Sequence, residues 1–243
     1  MTYKEVKPYE QEADKKGQVS KMFNNIAPYY DFLNRLLSLG VDTIWRKKAI
    51  MRLKEDNPQM VLDVATGTAD VALEIVRLLS PQKVIGVDIS KEMLAIGDKK
   101  IQKKGLENTI TLEIGDSENL RFEDNTFDAI TVAFGVRNYE NLEKGIAEMR
   151  RVLKPNGQLI VLVFSKPTIF PFKQLFNMYF KYILPFIGRF TSKDPKAYSY
   201  LYESVQAFPD GKDFVAVLDK TGFHSTKCSP LTLGICSIYS GRK

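Results

Sequence analysis

Histidine is nearly missing from this 243-residue chain: there is one, His224, late in the sequence. Cysteine is almost as scarce. Cys228 and Cys236 sit in the last apolar segments without C-x-x-C spacing, so neither a zinc site nor a catalytic pair is expected, and nothing marks secretion to favour a disulfide. With no His/Cys/carboxylate cluster at ligand spacing, no metal is expected. Met1 to Gly17 is polar and charged, which is not the pattern of a signal peptide or an apolar anchor, and a cytoplasmic location is the expectation. Repeats and low-complexity segments are lacking too. The formal net charge is +6, yet the basic residues are scattered (Lys47-Lys48, Lys99-Lys100, Lys103-Lys104, Arg150-Arg151) rather than gathered in one tract. That distribution speaks against nucleic acid and leaves surplus surface lysines or an anionic membrane face as readings. With 44% hydrophobic and 26% charged residues, the composition is that of a globular protein able to bury a substantial core.

What the chain does have is a regular alternation of strand and helix patterns from Met60 onward. Val61-Leu62-Asp63-Val64 reads as a buried strand, Ala65-Thr66-Gly67-Thr68-Ala69 as a tight small-residue loop, and Val71, Ala72, Ile75, Val76 and Leu79 as one helix face. The loop is no G-x-G-x-x-G, having one glycine, but it lets a nucleotide-like ligand approach the backbone, and the helix after it offers free N–H groups. A second strand, Lys83 to Asp88, ends in a carboxylate, the position at which doubly wound folds hold ribose hydroxyls. A third, Thr109 to Ile114, runs into Gly115-Asp116-Ser117. Dinucleotide enzymes do not need an acidic turn there, whereas a ligand whose adenine is read by polar groups does. In these three units the chain resembles the class I S-adenosylmethionine-dependent methyltransferases.

Further strands are expected over 127–134 and 158–164, with helices at 69–80, 90–104 (Ser90 at its start, Gly105 at its end) and 140–153, and Lys154-Pro155-Asn156-Gly157 as a turn. These units imply a mostly parallel α/β sheet with right-handed crossovers. Ala207 to Lys243 adds a helix near 211–221 and strands near 223–228 and 233–240, with Pro230 in the turn between them, like the antiparallel hairpin that ends a seven-stranded methyltransferase sheet. Before the sheet lies a helical preface. Val19, Met22, Phe23 and Ile26 share a helix face, Pro28 breaks it at Tyr29-Tyr30-Asp31, and Phe32 to Leu37 resume it until Gly40. We therefore read one Rossmann-like domain over 1–243: a flexible tail to residue 18, a helical cap over 19–57, and a core over 58–243 with a helical insertion at 168–205. Within that insertion, Phe170 to Phe190 holds thirteen apolar or aromatic residues of 21 and three charges, Lys173, Lys181 and Arg189. Pro171, Pro185 and Lys181 exclude a membrane span. It reads either as a helix packed on the sheet or as a greasy wall with a basic margin facing a prenyl chain and anionic lipid.

Two stretches sharpen the resemblance. Ala133-Phe134-Gly135-Val136-Arg137-Asn138 follows the fourth strand, and Arg151-Val152-Leu153-Lys154-Pro155-Asn156-Gly157-Gln158-Leu159 runs into Phe164-Ser165-Lys166-Pro167. With Met22 to Asp31 and Asn34 to Gly40, they closely resemble the ubiquinone/menaquinone biosynthesis C-methyltransferases, over about residues 19 to 243. Two departures stand out: Ala69 where a glycine is usual, and Ala133 where a serine often precedes F-G. The resemblance implies S-adenosylmethionine as methyl donor and a polyprenylated quinol as substrate, most specifically demethylmenaquinol, with a benzoquinol or a non-catalytic cofactor-binding role as alternatives. It implies that Gly67 and Thr68 border the methionine end of the cofactor, that Asp88 holds the ribose hydroxyls and that Asp116 with Ser117 reads the adenine. Asp63 orients either the loop or the cofactor ammonium, or is structural. A quinol carbon becomes nucleophilic when a neighbouring hydroxyl loses its proton, and a free phenol titrates near 10, so a base or a nearby positive charge is required. Arg137, always charged, suits that task better than His224; Asn138 suits orientation of a water or the quinol oxygen, and Tyr30 sits at the break between helices where a ligand is within reach. The partners expected are the quinol and an anionic membrane surface, with no nucleic acid and with a homodimer left open.

Overall fold

The structure is a computed structural model that describes residues 6–9, 14–179, 182 and 196–243. Lys181, Pro185, Arg189, most of the apolar stretch beyond Tyr179 and most of the expected N-terminal tail lie outside the described residues. Seven strands form one sheet, β1 (Met60–Val64), β2 (Lys83–Asp88), β3 (Ile110–Ile114), β4 (Phe127–Ala133), β5 (Leu153–Phe164), β6 (His224–Leu231) and β7 (Cys236–Arg242), in the order β3-β2-β1-β4-β5-β7-β6. Strands β1 to β5 pair in parallel, and β7 lies antiparallel between β5 and β6. Because helices cover both faces, the central strands read as nearly unbroken apolar runs, and Val61, Leu62, Val64, Ala129 and Ile130 are all buried.

One face of the sheet packs on α2 (Val41–Ile50) and α3 (Asp70–Leu79), with Trp45, Ile50, Leu53 and Ile75 at its centre. The other packs on α5 (Leu142–Val152) and on the helix at Lys212–Lys220, through Ile146, Met149, Phe214 and Leu218. Between β2 and β3 runs α4 (Lys91–Lys103); the Ser90 hydroxyl caps it by accepting from the Met93 N–H at 3.3 Å. Two further helices, α6 (Phe172–Met178) and α7 (Lys196–Ala207), lie in the expected insertion, so the helix at 212–220 is α8.

Four expectations are corrected by tertiary context. Pro28 does not break the preface: α1 runs unbroken from Lys15 to Leu37. A proline inside a helix removes one hydrogen bond and crowds the turn before it. Here the two turns before Pro28 are held from outside, because the Ser20 hydroxyl donates to the Ile89 carbonyl, and the Asn24 amide oxygen accepts from the Ser90 hydroxyl at 2.7 Å. The same helix starts at Lys15, so residues 15–18 belong to it and not to a loose tail. Pro230 is not in the last turn but within β6, opposite Ser237; β6 is the edge of the sheet, where a missing N–H leaves no partner unsatisfied. The reversal is made instead at Thr232–Gly234, all three residues having positive φ. Finally, Lys154 to Gly157 is no separate turn: it bulges out of β5, whose pairing with β4 jumps from Leu153 to Gln158, and Asn156 takes φ 64°.

Candidate active site

Parallel sheets of this kind open a crevice at the C-terminal ends of their strands where the strand order reverses, and here that point lies between β1 and β4. Four tips converge there: Ala65 and Gly67 after β1, Asp88 ending β2, Gly115 and Ser117 after β3, and Ala133 to Gly135 after β4. With Phe23 and Tyr30 of α1, they line one cleft.

The loop after β1 explains why small residues stand there. Ala65, Gly67 and Ala69 all have positive φ (55°, 57° and 64°), a conformation that costs an L side chain about 1 kcal/mol or more. Ala69, the departure from the family pattern, thus occupies a position at which glycine is the unstrained choice. Its methyl is buried, facing Gly97 of α4. Gly135 is small for a different reason. Its φ is an ordinary −82°, but a Cβ there would stand 2.4 Å from the Ala65 Cβ, so the tips of β1 and β4 approach closely only because this position carries no side chain.

Asp88 is half-buried at the β2 tip, where its Oδ2 accepts from the Gly67 N–H and its Oδ1 from the Ser90 N–H, both at 2.8 Å. Burial pushes its carboxyl above the usual range, and the backbone donors only partly offset that. Asp63 does not reach the cleft. It is 1% exposed, its two oxygens accepting from the Thr66 and Thr131 hydroxyls at 2.6 Å, and it fastens the loop to β4. Burial, opposed by those two hydrogen bonds, pushes it up to about 6.

Of the residues expected to bind the cofactor, Gly67, Asp88 and Ser117 line the cleft together. Thr68 is turned away: its hydroxyl donates to Asp31 Oδ1 at 2.5 Å and accepts from Lys100 Nζ at 3.0 Å. Asp116 is next to the cleft, but its carboxylate is engaged by Lys16 Nζ at 2.6 Å and by the Glu118 N–H at 2.9 Å. Asp31, at the break expected in α1, is part of an ionic tie through Lys100 (2.5 Å) to Asp70 and on to Arg46. Burial alone would raise the Asp70 carboxyl, yet Arg46 and Lys100 together hold it below the usual range.

Tyr30 and Asn138 both line the cleft, and Arg137 lies behind Asn138. The Arg137 guanidinium is buried; Nη1 donates to the Ser204 hydroxyl at 2.7 Å and to Asn138 Oδ1 at 3.3 Å, Nε has no partner, and no ion pair with a carboxylate is formed among the described residues. Burial lowers its affinity for its proton, but a guanidinium stays charged. Burial likewise raises the Tyr30 hydroxyl, against smaller opposing effects of Asn34, Arg46 and Arg137. His224 is exposed at the far edge of the sheet, on β6. Lys16, Phe23 and Tyr139 were not singled out by the sequence. Tyr139 directly follows the 133–138 motif and could have been found by adjacency; Lys16 carries no sequence signal. Among the described residues no group of three His, Cys, Asp or Glu side chains could hold a metal ion.

The inventory of this cleft fits S-adenosylmethionine: a strand-tip carboxylate for hydroxyl donors, a floor without side chains at Gly67 and Gly115, and an apolar wall of Val19, Val87 and Met93. Fold and site together define a class I S-adenosylmethionine-dependent methyltransferase. Solved structures agree on the fold. A SAM-dependent methyltransferase from Thermotoga maritima superposes with a TM-score of 0.64 at 19% identity, covering 92% of this chain and 99% of that one. Phosphoethanolamine N-methyltransferase 2 of Haemonchus contortus, in complex with S-adenosyl-L-methionine, gives 0.56 at 15% identity over 76% of this chain and 48% of that one.

Sequence relatives narrow the class. The model of the ubiE/COQ5 methyltransferase family matches residues 10–243, and the chain belongs to that family. It is 48% identical to a demethylmenaquinone methyltransferase of Bacteroides fragilis over 98% of this chain and 97% of that one, and 44% identical to that of Porphyromonas gingivalis over 98% of each. A relative from Geobacter sulfurreducens, 45% identical over 95% of this chain and 90% of that one, is a ubiquinone/menaquinone biosynthesis C-methyltransferase.

Two predictions come from this geometry. Gly135→Ala must push the β1 and β4 tips apart, so S-adenosylmethionine affinity measured by calorimetry should fall at least about tenfold, while far-ultraviolet circular dichroism stays native. An unchanged affinity would show that the close approach is dispensable. For Asp63, the folded-state carboxyl titrates above its unfolded value, so its stabilising contribution is complete below about pH 4 and is lost as pH rises through about 6. Relative to Asp63→Asn, the native chain should lose roughly 2–3 kcal/mol of unfolding free energy between pH 4 and 7.5. Urea titrations of both proteins at the two pH values check this, and a difference that does not vary with pH refutes it.

Proposed function

We propose that the enzyme transfers a methyl group to a ring carbon of demethylmenaquinol, giving menaquinol. The observation that carries this is the near-full-length identity of 48% with a demethylmenaquinone methyltransferase. When bound, S-adenosylmethionine supplies a sulfonium methyl open to attack by a carbon nucleophile. The residues of this chain do the rest. Asp88, its oxygens each holding one backbone N–H, keeps lone pairs for the ribose hydroxyls; Gly67 leaves room for the methionine end; Ser117 addresses the adenine, beside an Asp116 already tied to Lys16.

The quinol hydroxyl must ionise before its ring carbon can attack, and the ring hydrogen then leaves as a proton once the new C–C bond has formed and the C–S bond has broken. Arg137 favours the ionised oxygen. A buried cation without a counter-ion attracts an anion far more strongly than a solvated one does. Asn138, whose Oδ1 accepts from Arg137, has its NH₂ left to donate to the quinol oxygen or a water, and the Tyr30 ring stands against Gly67. Bringing the two carbons into line supplies much of the rate.

The name of the Geobacter relative covers both ubiquinone and menaquinone synthesis, so a benzoquinol is the second reading. The substrate's prenyl chain also gives sense to an apolar rim around α6, where Ile169, Phe170, Leu175 and Met178 are exposed, Phe170 at 77%, with Lys173 among them. We read this rim as a contact with the inner, anionic face of a membrane; no helix among the described residues is long and apolar enough to cross one.

Labelled S-adenosylmethionine incubated with reduced demethylmenaquinol, beside a demethylated benzoquinol, should put label into the naphthoquinol by at least about tenfold preference. Label in the benzoquinol alone selects the second reading, and cofactor binding without transfer overturns both. In co-sedimentation with phosphatidylglycerol vesicles, Phe170→Ser/Lys173→Glu should lower the bound fraction several-fold; equal binding of the two proteins refutes the membrane contact.

A further inference from the structure

Behind the cleft, α7 presents two side chains to the 133–138 segment. Ser204 accepts from Arg137 Nη1 at 2.7 Å and in turn donates to the Leu201 carbonyl at 3.0 Å, so its hydroxyl is satisfied. Tyr200, four residues earlier, occupies the same helix face one turn away. Its ring is 2% exposed and packed with Val19 and Met22 of α1 beside Phe23, and Val19 and Phe23 line the cleft. The Tyr200 hydroxyl is buried and has no hydrogen-bond partner.

A buried tyrosine almost always finds an acceptor for its O–H, and a buried guanidinium almost always finds one for each N–H. Here both Tyr200 Oη and Arg137 Nε lack one among the described residues, and each side chain touches a residue that lines the cleft, Tyr200 through Val19 and Arg137 through Asn138. Two unsatisfied donors with no carboxylate paired to them describe a site for an oxygen anion that belongs to a ligand. We propose that Tyr200 is a second donor to the ring oxygen of the quinol, sharing with Arg137 the negative charge that develops there. The assignment rests on the reading of the substrate as a quinol.

Tyr200 is suited to donate and not to act as a base. Burial pushes its hydroxyl up to about 12, with Arg137 acting in the opposite direction, so it keeps its proton at neutral pH. The groups packed with it are the apolar side chains of α1, Ala197 of its own helix, Ile89, and Val6 and Tyr9 ahead of α1, with the Arg137 guanidinium acting on it as the neighbouring charge. A neutral hydroxyl and a fixed cation give the oxyanion two donors of different kinds, as sites built for oxyanions commonly do.

Tyr200→Phe keeps the ring and its packing and removes only the unpaired hydroxyl, so the melting temperature should not fall. The rate of methyl transfer to demethylmenaquinol at pH 7 should fall about tenfold, and the acid limb of the kcat profile should move up by about one pH unit, with KM for S-adenosylmethionine unchanged. A role in packing alone would leave the pH profile where it is. A second readout needs no turnover: 1-naphthol bound in the presence of S-adenosylhomocysteine, with its anion followed by absorbance, should ionise at a pH about one unit lower in the native enzyme than in Y200F. An unchanged naphthol titration in Y200F overturns Tyr200 as a donor even where native turnover is intact. Native enzyme that ignores demethylmenaquinol overturns the substrate reading instead.

Discussion

A single buried carboxylate holds the site open at the place where the sheet reverses its order. Asp63 joins the loop after β1, through Thr66, to the middle of β4, through Thr131. Parallel strands diverge at a switch point, because their connections leave toward opposite faces. Without a polar tie across it, the β1 loop, with three residues in the left-handed region, would have no reason to keep a conformation that none but glycine adopts freely. The tie restrains the loop at the cost of a carboxyl that burial makes reluctant to ionise. Gly135 completes the arrangement from the other side by letting β4 approach Ala65. The floor of the cleft therefore depends on one charged group and one missing side chain.

The cap is held by a different kind of force. α1 crosses the strand tips and is fastened by polar contacts at intervals along its length: Lys16 to Asp116, Ser20 to the Ile89 carbonyl, Asn24 to Ser90, Asp31 to Lys100 and Thr68. Several of these partners, Asp116, Ile89 and Ser90 among them, are strand-tip or loop residues beside the ligand cleft. Half-exposed ion pairs of this sort are individually weak. They add to the apolar seat that Val19, Met22, Ala27 and Leu33 give the same helix, and fix its position over the strand tips. Phe23 and Tyr30 of this helix in turn wall the cleft.

Strand and helix positions in the core were legible because both faces of the sheet are covered, and unbroken apolar runs such as Val61-Leu62 have few other uses. The strand-tip carboxylate Asp88 and the floor residue Gly67 were legible for the same reason, since strand ends fix where ligands lie. What failed were judgements that local rules make and tertiary contacts override. Pro28 is helical where the helix ahead of it is pinned at Ser20 and Asn24; Pro230 is in a strand because that strand has a free edge. The surroundings of Thr68 and Asp116 were not legible either: their side chains meet Asp31 and Lys16, contacts with α1 across long stretches of sequence that no local pattern encodes. The same is true of Tyr200, which is set behind the cleft by a helix that comes 62 residues after Asn138.

The electrostatic character of the rear wall follows from what burial does to each candidate group. A tyrosine removed from water keeps its proton, so Tyr30 and Tyr200 become poorer bases than they are in solution. The one imidazole of the chain is exposed on the opposite edge of the sheet, beyond hydrogen-bond reach of any ligand in the cleft. Arginine alone resists: desolvation lowers its pKa, but from so high a starting point that it remains a cation. The buried site thus contains fixed positive charge and neutral donors. For the proposed quinol, such an environment favours the ionised hydroxyl, so the proposed reaction asks of the protein no side chain that must gain a proton and lose it again in each turnover. For a substrate whose acidic hydroxyl lies on the same ring as the attacking carbon, stabilising the anion in place is the chemically shorter route.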